Sequence, residues 1–323
     1  MLDLVLLFVP FFALVVMGWG ATRSGLLAVE GIGALNTFVL FFGLPAMVFR
    51  LSASGALQQT GLSGLLLAYG LGGAVVMALA LVWTLRAGLA RRDGGLVALV
   101  TTFPNTGFLG LPLLTALLGQ QAAGPVAATL IVDVLIFSSL ALAWAHSRPD
   151  EGHHDGAWAA LASSLKGALR NPLLWSMALG LMVSVSGRMV PHTLDEVLRL
   201  LALAASPAAL FTLGAMLARA QMRPAPGRWV SSGAIVWWTS LKLVVHPAAV
   251  WLAAQALRAA GLTVPEAGLV TLMLAAALPS ASNVSMLAER EGANTALVAR
   301  IILWTTSIAL LTLSVWALRV GVR

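Results

Sequence analysis

Ten long apolar stretches constrain what this chain can fold into more than any other feature. A bilayer core of about 30 Å takes about 20 consecutive, mostly apolar helical residues to cross. Stretches of that kind run over residues 4–21, 34–51, 62–85, 94–118, 122–145, 172–190, 197–218, 230–257, 266–288 and 297–319. In lipid each backbone amide and carbonyl must be satisfied within its own segment, so each stretch is expected to be helical. The composition agrees, with 59% apolar and 10% charged residues over 323 positions, where a soluble domain carries about 25% charged. The expected fold is an all-α integral membrane protein of ten transmembrane helices. The first stretch follows Met1-Leu2-Asp3, with no basic run before it and no clean small-residue cleavage site after it, so it reads as a retained helix rather than a signal peptide.

The charges orient these helices. The formal net charge is +7, and seventeen of the 19 basic residues are arginine, a usage that hints at a GC-rich bacterial genome. They occur one to three at a time between apolar runs and form no patch for nucleic acid. Loops after odd-numbered stretches hold twelve basic residues: Arg23; Arg86, Arg91 and Arg92; Arg148, Lys166 and Arg170; Arg219, Arg223 and Arg228; and Arg290 and Arg300. The opposite side holds six, Arg50, Arg188, Arg199, Arg258, Arg319 and Arg323. Positive loops stay cytoplasmic, so both termini are expected on the non-cytoplasmic side of a bacterial inner membrane. Residues 146–170 then form a central cytoplasmic loop.

Five stretches precede that loop (residues 1–145) and five follow it (171–323). Two related halves with an odd number of spans must have opposite topology. At an offset of 162, Pro10 meets Pro172, Gly18 meets Gly180, Ser24-Gly25 meets Ser186-Gly187, Pro45-Ala46 meets Pro207-Ala208 and Phe49 meets Phe211. Later the offset becomes 175, pairing Pro104 with Pro279. Two inverted five-helix repeats with helix-breaking prolines at equivalent depths are the arrangement expected of secondary transporters.

The fourth stretch contains Thr102-Phe103-Pro104-Asn105-Thr106-Gly107, and the ninth Leu278-Pro279-Ser280-Ala281-Ser282-Asn283. Each proline removes a backbone donor and clashes with the carbonyl four residues back, so both segments should open near mid-membrane. If the two broken helices cross, their half-helix N-termini offer bare N–H groups and partial positive charge, suited to a carboxylate. Pro104, Asn105, Thr106, Gly107, Pro279, Ser280, Ser282 and Asn283, with Asn36 of the second stretch, make up the candidate substrate-binding set. The competing reading is that these residues only kink and pack the helices, with Asn105 capping its own break.

Asp133 is the single acidic side chain deep inside an apolar run, and Lys242 is a lysine inside the eighth. A charge at a helix centre costs about 2.5–3.5 kcal/mol. Asp133 is therefore either a carrier of a coupling H+ or Na+ or a structural partner of Lys242, which has an anionic substrate or the interface as its own alternatives. His246-Pro247 reads as a kink, and His146, His153, His154 and Asp155 as a solvated loop rather than a metal set. Gly70, Gly72, Gly73, Gly107 and Gly110 suggest close helix packing. Absence of cysteine excludes a disulfide scaffold, a thiolate metal site and a cysteine nucleophile. No phosphate-binding glycine loop, zinc-protease helix or Gly-x-Ser-x-Gly elbow supports an enzyme, and no cofactor is expected.

The chain resembles the auxin efflux carrier family, which includes plant PIN-type auxin exporters and bacterial permeases proposed for malonate and malate. The likeness is carried by Leu35-Asn36-Thr37-Phe38-Val39 through Leu44-Pro45, by Phe103-Pro104-Asn105-Thr106 through Gly110-Leu111-Pro112-Leu113-Leu114, and by Ala276-Ala277-Leu278-Pro279 through Ala288-Glu289. The resemblance implies a scaffold of spans 1, 2, 6 and 7, a transport domain of spans 3–5 and 8–10, and spans 4 and 9 crossing at Pro104 and Pro279. It also implies a carboxylate contact for Asn105 and a homodimer through the scaffold. Plant members carry an acidic and a basic residue in span 3, where this chain has Ala68-Tyr69-Gly70-Leu71-Gly72-Gly73, and the central loop is short. Both departures favour the bacterial branch over an indole-3-acetate carrier.

The function expected from these features is secondary transport of a small mono- or dicarboxylate by an elevator-type shift. A membrane receptor that binds a lipid or metabolite in the same pocket is the alternative.

Overall fold

The structure, a computed structural model, describes residues 2–55, 61–147, 172–222 and 230–322. Among the described residues there is no strand, and helices follow one another along the chain. These are α1 (Leu2–Arg23), α2 (Val29–Ala53), α3 (Leu62–Arg86), α4 (Arg91–Thr102), α5 (Thr106–Leu118) and α6 (Gln120–His146). Beyond the central loop come α7 (Pro172–Ser186), α8 (His192–Met222), α9 (Ser232–Ala259), α10 (Glu266–Ala276), α11 (Asn283–Arg290) and α12 (Thr295–Arg319). The helices α2, α3, α6, α8, α9 and α12 are each long and apolar enough to cross a membrane, and α5, α7, α10 and the Phe8–Arg23 part of α1 are shorter apolar helices. The fourth and ninth apolar stretches are each two helices, α4 with α5 and α10 with α11. Of the residues singled out in the sequence, His153, His154, Asp155, Arg148, Lys166, Arg170, Arg223, Arg228 and Arg323 lie outside the described residues.

The helix surfaces are inverted relative to a soluble protein. On α3 the small residues Ala68, Gly72 and Ala80 are buried while Leu67, Leu71, Val75, Leu79 and Val82 are exposed. A stripe of large aliphatic side chains facing outward is stable only against lipid, and small residues facing inward let backbones approach. The longest helix contacts run between α1 and α8, between α2 and α7, and between α3 and α9. A Cβ at Gly18 of α1 would collide with the Phe211 carbonyl of α8, and one at Gly180 of α7 with the Phe49 carbonyl of α2. Only glycine fits either crossing.

Among the described residues, four helices widen locally into a π turn, at Val39–Gly43, Thr106–Gly110, Val132–Phe137 and Leu241–Val245. Three of these end two residues before a proline, namely Pro45, Pro112 and Pro247. The cause is local: a proline pushes away the carbonyl four residues back and offers it no donor, so the helix relaxes into a wider turn. For Pro247 that carbonyl belongs to Leu243, and the Trp316 indole of α12 donates to it at 2.9 Å. The kink expected at His246-Pro247 takes this form. The turn at Val132–Phe137 has no such proline, and there the Ser138 hydroxyl donates to the Asp133 carbonyl at 2.9 Å.

Candidate functional site

The two interrupted segments meet in the middle of the molecule. After α4 ends at Thr102, the chain leaves the helix at Phe103 in an extended conformation and turns at Asn105, and after α10 the chain crosses it through residues 277–282. Pro104 and Ser280 face each other as an isolated antiparallel bridge. The Asn105 amide donates to the Pro279 carbonyl at 2.8 Å, and the Ala281 amide donates to the Phe103 carbonyl at 3.0 Å. Each proline supplies a gap in one helix, and the other segment's backbone fills part of it. The remaining groups find partners nearby: the Ser280 amide donates to Thr305 Oγ1 of α12 at 3.2 Å, and the Asn105 carbonyl accepts from Leu109 and Gly110 at 3.0 and 2.9 Å.

Four side chains at the crossing keep polar atoms without partners. Asn105 Nδ2, Thr106 Oγ1, Ser280 Oγ and Ser282 Oγ are all buried and unbonded. An orphaned buried group costs about 1–3 kcal/mol, so four in one place amount to more than packing alone explains. They sit where α5 and α11 begin, and the first amides of a helix have no intrahelical acceptor. Gly107 faces Leu44 of α2, which lies 3.8 Å from where its Cβ would be. Asn36 of α2 is buried, donates through Nδ2 to Met286 Sδ of α11 at 3.5 Å and leaves Oδ1 unpartnered. Asn283 is exposed, one turn before Met286 on α11. The structure thus gathers Pro104, Asn105, Thr106, Pro279, Ser280 and Ser282 at one point, with Gly107 and Asn36 towards α2 and Asn283 at the rim.

Both intramembrane charges lie behind the crossing, each in a π turn and each fully buried. The Tyr69 hydroxyl of α3 donates to Asp133 at 2.9 Å to Oδ1 and 3.1 Å to Oδ2. Lys242 donates to the Ala276 carbonyl at 2.7 Å and approaches His246 Nδ1 at 3.1 Å. The rings of His246 and Tyr69 stand 5.5 Å apart. Asp133 and Lys242 therefore do not pair directly; each has its own hydrogen-bond partner. Sequence reasoning singled out both charges and missed Tyr69 and Thr305, which are ordinary residues until helix rotation brings them to the site. At the end of α6, His146 pairs with Glu291 at 3.0 Å.

With this geometry in hand, the comparison with known proteins is decisive at the family level. The sequence profile described as "Membrane transport protein" matches residues 4–317. The chain belongs to that family, the auxin efflux carrier family. It is 27% identical over 311 residues to a Rhizobium meliloti (strain 1021) protein named "Putative malonate transporter", covering 95% of this chain and 93% of that one. It is 25% identical over 311 residues to an uncharacterized transporter of Methanothermobacter thermautotrophicus, covering 94% of each. An uncharacterized transporter of Escherichia coli (strain K12) is 24% identical over 288 residues, covering 87% of this chain and 86% of that protein. The chain is a multi-pass membrane protein of a transporter family.

Proposed function

We propose that the protein is a secondary transporter of a small organic anion, a mono- or dicarboxylate, working by alternating access around the crossing. The observation that carries this reading is the set of unpartnered buried donors at Asn105, Thr106, Ser280 and Ser282, beside two half-helix N-termini. A carboxylate accepts from such donors and is attracted by the partial positive charge of helix starts. Malonate enters as the first substrate to try because it stands in the name of the Rhizobium relative.

An inverted repeat of ten spans supports alternating access. At the 162-residue offset Gly18 corresponds to Gly180 and Phe49 to Phe211, so Gly18 against Phe211 and Gly180 against Phe49 are one contact, made once by each half. Exchange of the halves likewise turns the α1–α8 packing into that of α7 with α2. In the elevator reading α1, α2, α7 and α8 form the scaffold, and α3–α6 with α9–α12 move. Between α2, α8 and α5 lies a separate apolar cluster of Val39, Leu44, Phe108, Ala205 and Ala209. A seam of this kind can slide without breaking hydrogen bonds. Asp133 is the candidate carrier of a coupling ion, and the arginine bias places both termini outside the cytoplasm of a bacterial inner membrane. A homodimer through the scaffold belongs to the same reading.

Counterflow of labelled malonate, malate and indole-3-acetate in proteoliposomes tests it, with wild type set against Asn105→Ala. Uptake of a dicarboxylate that disappears in a folded variant is the expected result. Folded wild-type protein that moves none of the three anions would overturn this substrate class.

A further inference from the structure

Where α10 stops at Ala276, in the middle of the molecule, its last carbonyls carry the negative end of a helix dipole. Half-helix C-termini and unwound carbonyls at such breaks are where carriers of this general architecture hold their coupling cations. Here that place has an occupant from the chain itself. The Lys242 side chain, fully buried, reaches across from α9 and sets its ammonium 2.7 Å from the Ala276 carbonyl. An ammonium has three donors and no acceptor, and His246 Nδ1 lies 3.1 Å from Nζ, within reach of its second hydrogen bond. The nearest acidic group, Asp133, has both carboxylate oxygens engaged by the Tyr69 hydroxyl.

We infer that Lys242 is the built-in cation of the crossing, a tethered ammonium that takes the place of a dissociable alkali ion at the end of α10. The inference rests on the transporter reading above and narrows its coupling chemistry. Na+ needs several oxygen ligands around one point, whereas here the Ala276 carbonyl already accepts from Nζ and the ammonium occupies the space beside it. Lys242 and Na+ carry the same charge, so the ammonium balances Asp133 as the ion would. Being covalently held, it does so at any external ion concentration and with no loss of free-ion entropy on binding. The anion should then bind and move without Na+ or K+, leaving a proton on Asp133 as the coupling ion that remains.

Melting of the full-length protein in detergent tests this without any substrate. Wild type should melt at the same temperature in NaCl, KCl and N-methyl-D-glucamine chloride of equal ionic strength. Lys242→Ala should melt several degrees lower in N-methyl-D-glucamine chloride and recover in part with ethylammonium chloride, which refills the space beside the Ala276 carbonyl. Should that variant not be recovered folded, Lys242→Met combined with Asp133→Asn, which removes both charges, takes its place and should show no cation response. Saturable stabilisation of wild type by Na+ would overturn the inference, as would a Lys242→Ala protein as stable as wild type and indifferent to ethylammonium. In proteoliposomes, malonate counterflow should run at equal rates with and without Na+, and strict Na+ dependence would overturn it. Absence of malonate counterflow in both media would count against the malonate reading alone, because the melting comparison decides the role of Lys242.

Discussion

The two interruptions that cross exchange two backbone hydrogen bonds and differ in what else holds them. Beyond that exchange, the break between α4 and α5 is closed by its own segment, the Asn105 carbonyl accepting from the Leu109 and Gly110 amides at 3.0 and 2.9 Å. The break between α10 and α11 is held by neighbours, with Lys242 of α9 on the Ala276 carbonyl and Thr305 of α12 accepting from the Ser280 amide. A self-satisfied break can leave a whole amide side chain, that of Asn105, free for a ligand. A break held from outside is tied to the elements that hold it, and here one of those ties is a charge. Recognition is thus expected to depend more on the first arm, and integrity of the fold more on the second.

Replacing Lys242 by Met should have the largest effect, because it strands Asp133 without its balancing charge. Removing one member of a buried charge pair costs about 3–5 kcal/mol. The pair here is separated, so a value near the lower bound is expected by denaturation in detergent, and adding Asp133→Asn should recover most of it. Next, Asn105→Ala should lower transport by about 100-fold, the equivalent of two hydrogen bonds at roughly 1.4 kcal/mol each. Its melting temperature should stay close to wild type; an equal loss of folded protein would place recognition and integrity in the same arm and break the contrast. Tyr69→Phe leaves the Asp133 carboxylate without its donor and should cost about 2 kcal/mol of stability. Thr305→Val removes the acceptor for the Ser280 amide, an expected loss of about 1 kcal/mol. Thr102→Val, at the end of α4, should cost less than Thr305→Val, since the Thr102 hydroxyl only doubles a carbonyl contact within its own helix.

Much of the architecture was legible because lipid imposes simple rules. Apolar runs long enough to span became helices, and Pro104 and Pro279 interrupt them because proline cannot complete the ladder. The offset that pairs Gly18 with Gly180 did not tell that each glycine meets a phenylalanine carbonyl, of Phe211 and of Phe49. What escaped depended on rotation about helix axes. Tyr69 lies 64 residues from Asp133, in a stretch whose lack of charge made it look featureless. Thr305 is one of several threonines in α12, and nothing in its local sequence distinguishes it. Pairing of Asp133 with Lys242 was one of two readings from charge alone, yet in the structure Asp133 bonds to Tyr69 and Lys242 to the Ala276 carbonyl and His246. The widened turn at Val132–Phe137 was the least visible feature, because it depends on Ser138 rather than on a proline.

Those widened turns carry a consequence for how such a chain can change over time. A π turn holds one residue more than the helix requires and absorbs it locally, so the residues beyond keep the bearing of an unbroken helix. A codon lost within such a turn would restore the ordinary ladder and leave the rest of the helix aimed as before, whereas a codon lost elsewhere would swing everything beyond it by about 100°. These four places are therefore where the chain can change its length with least disturbance to the residues beyond.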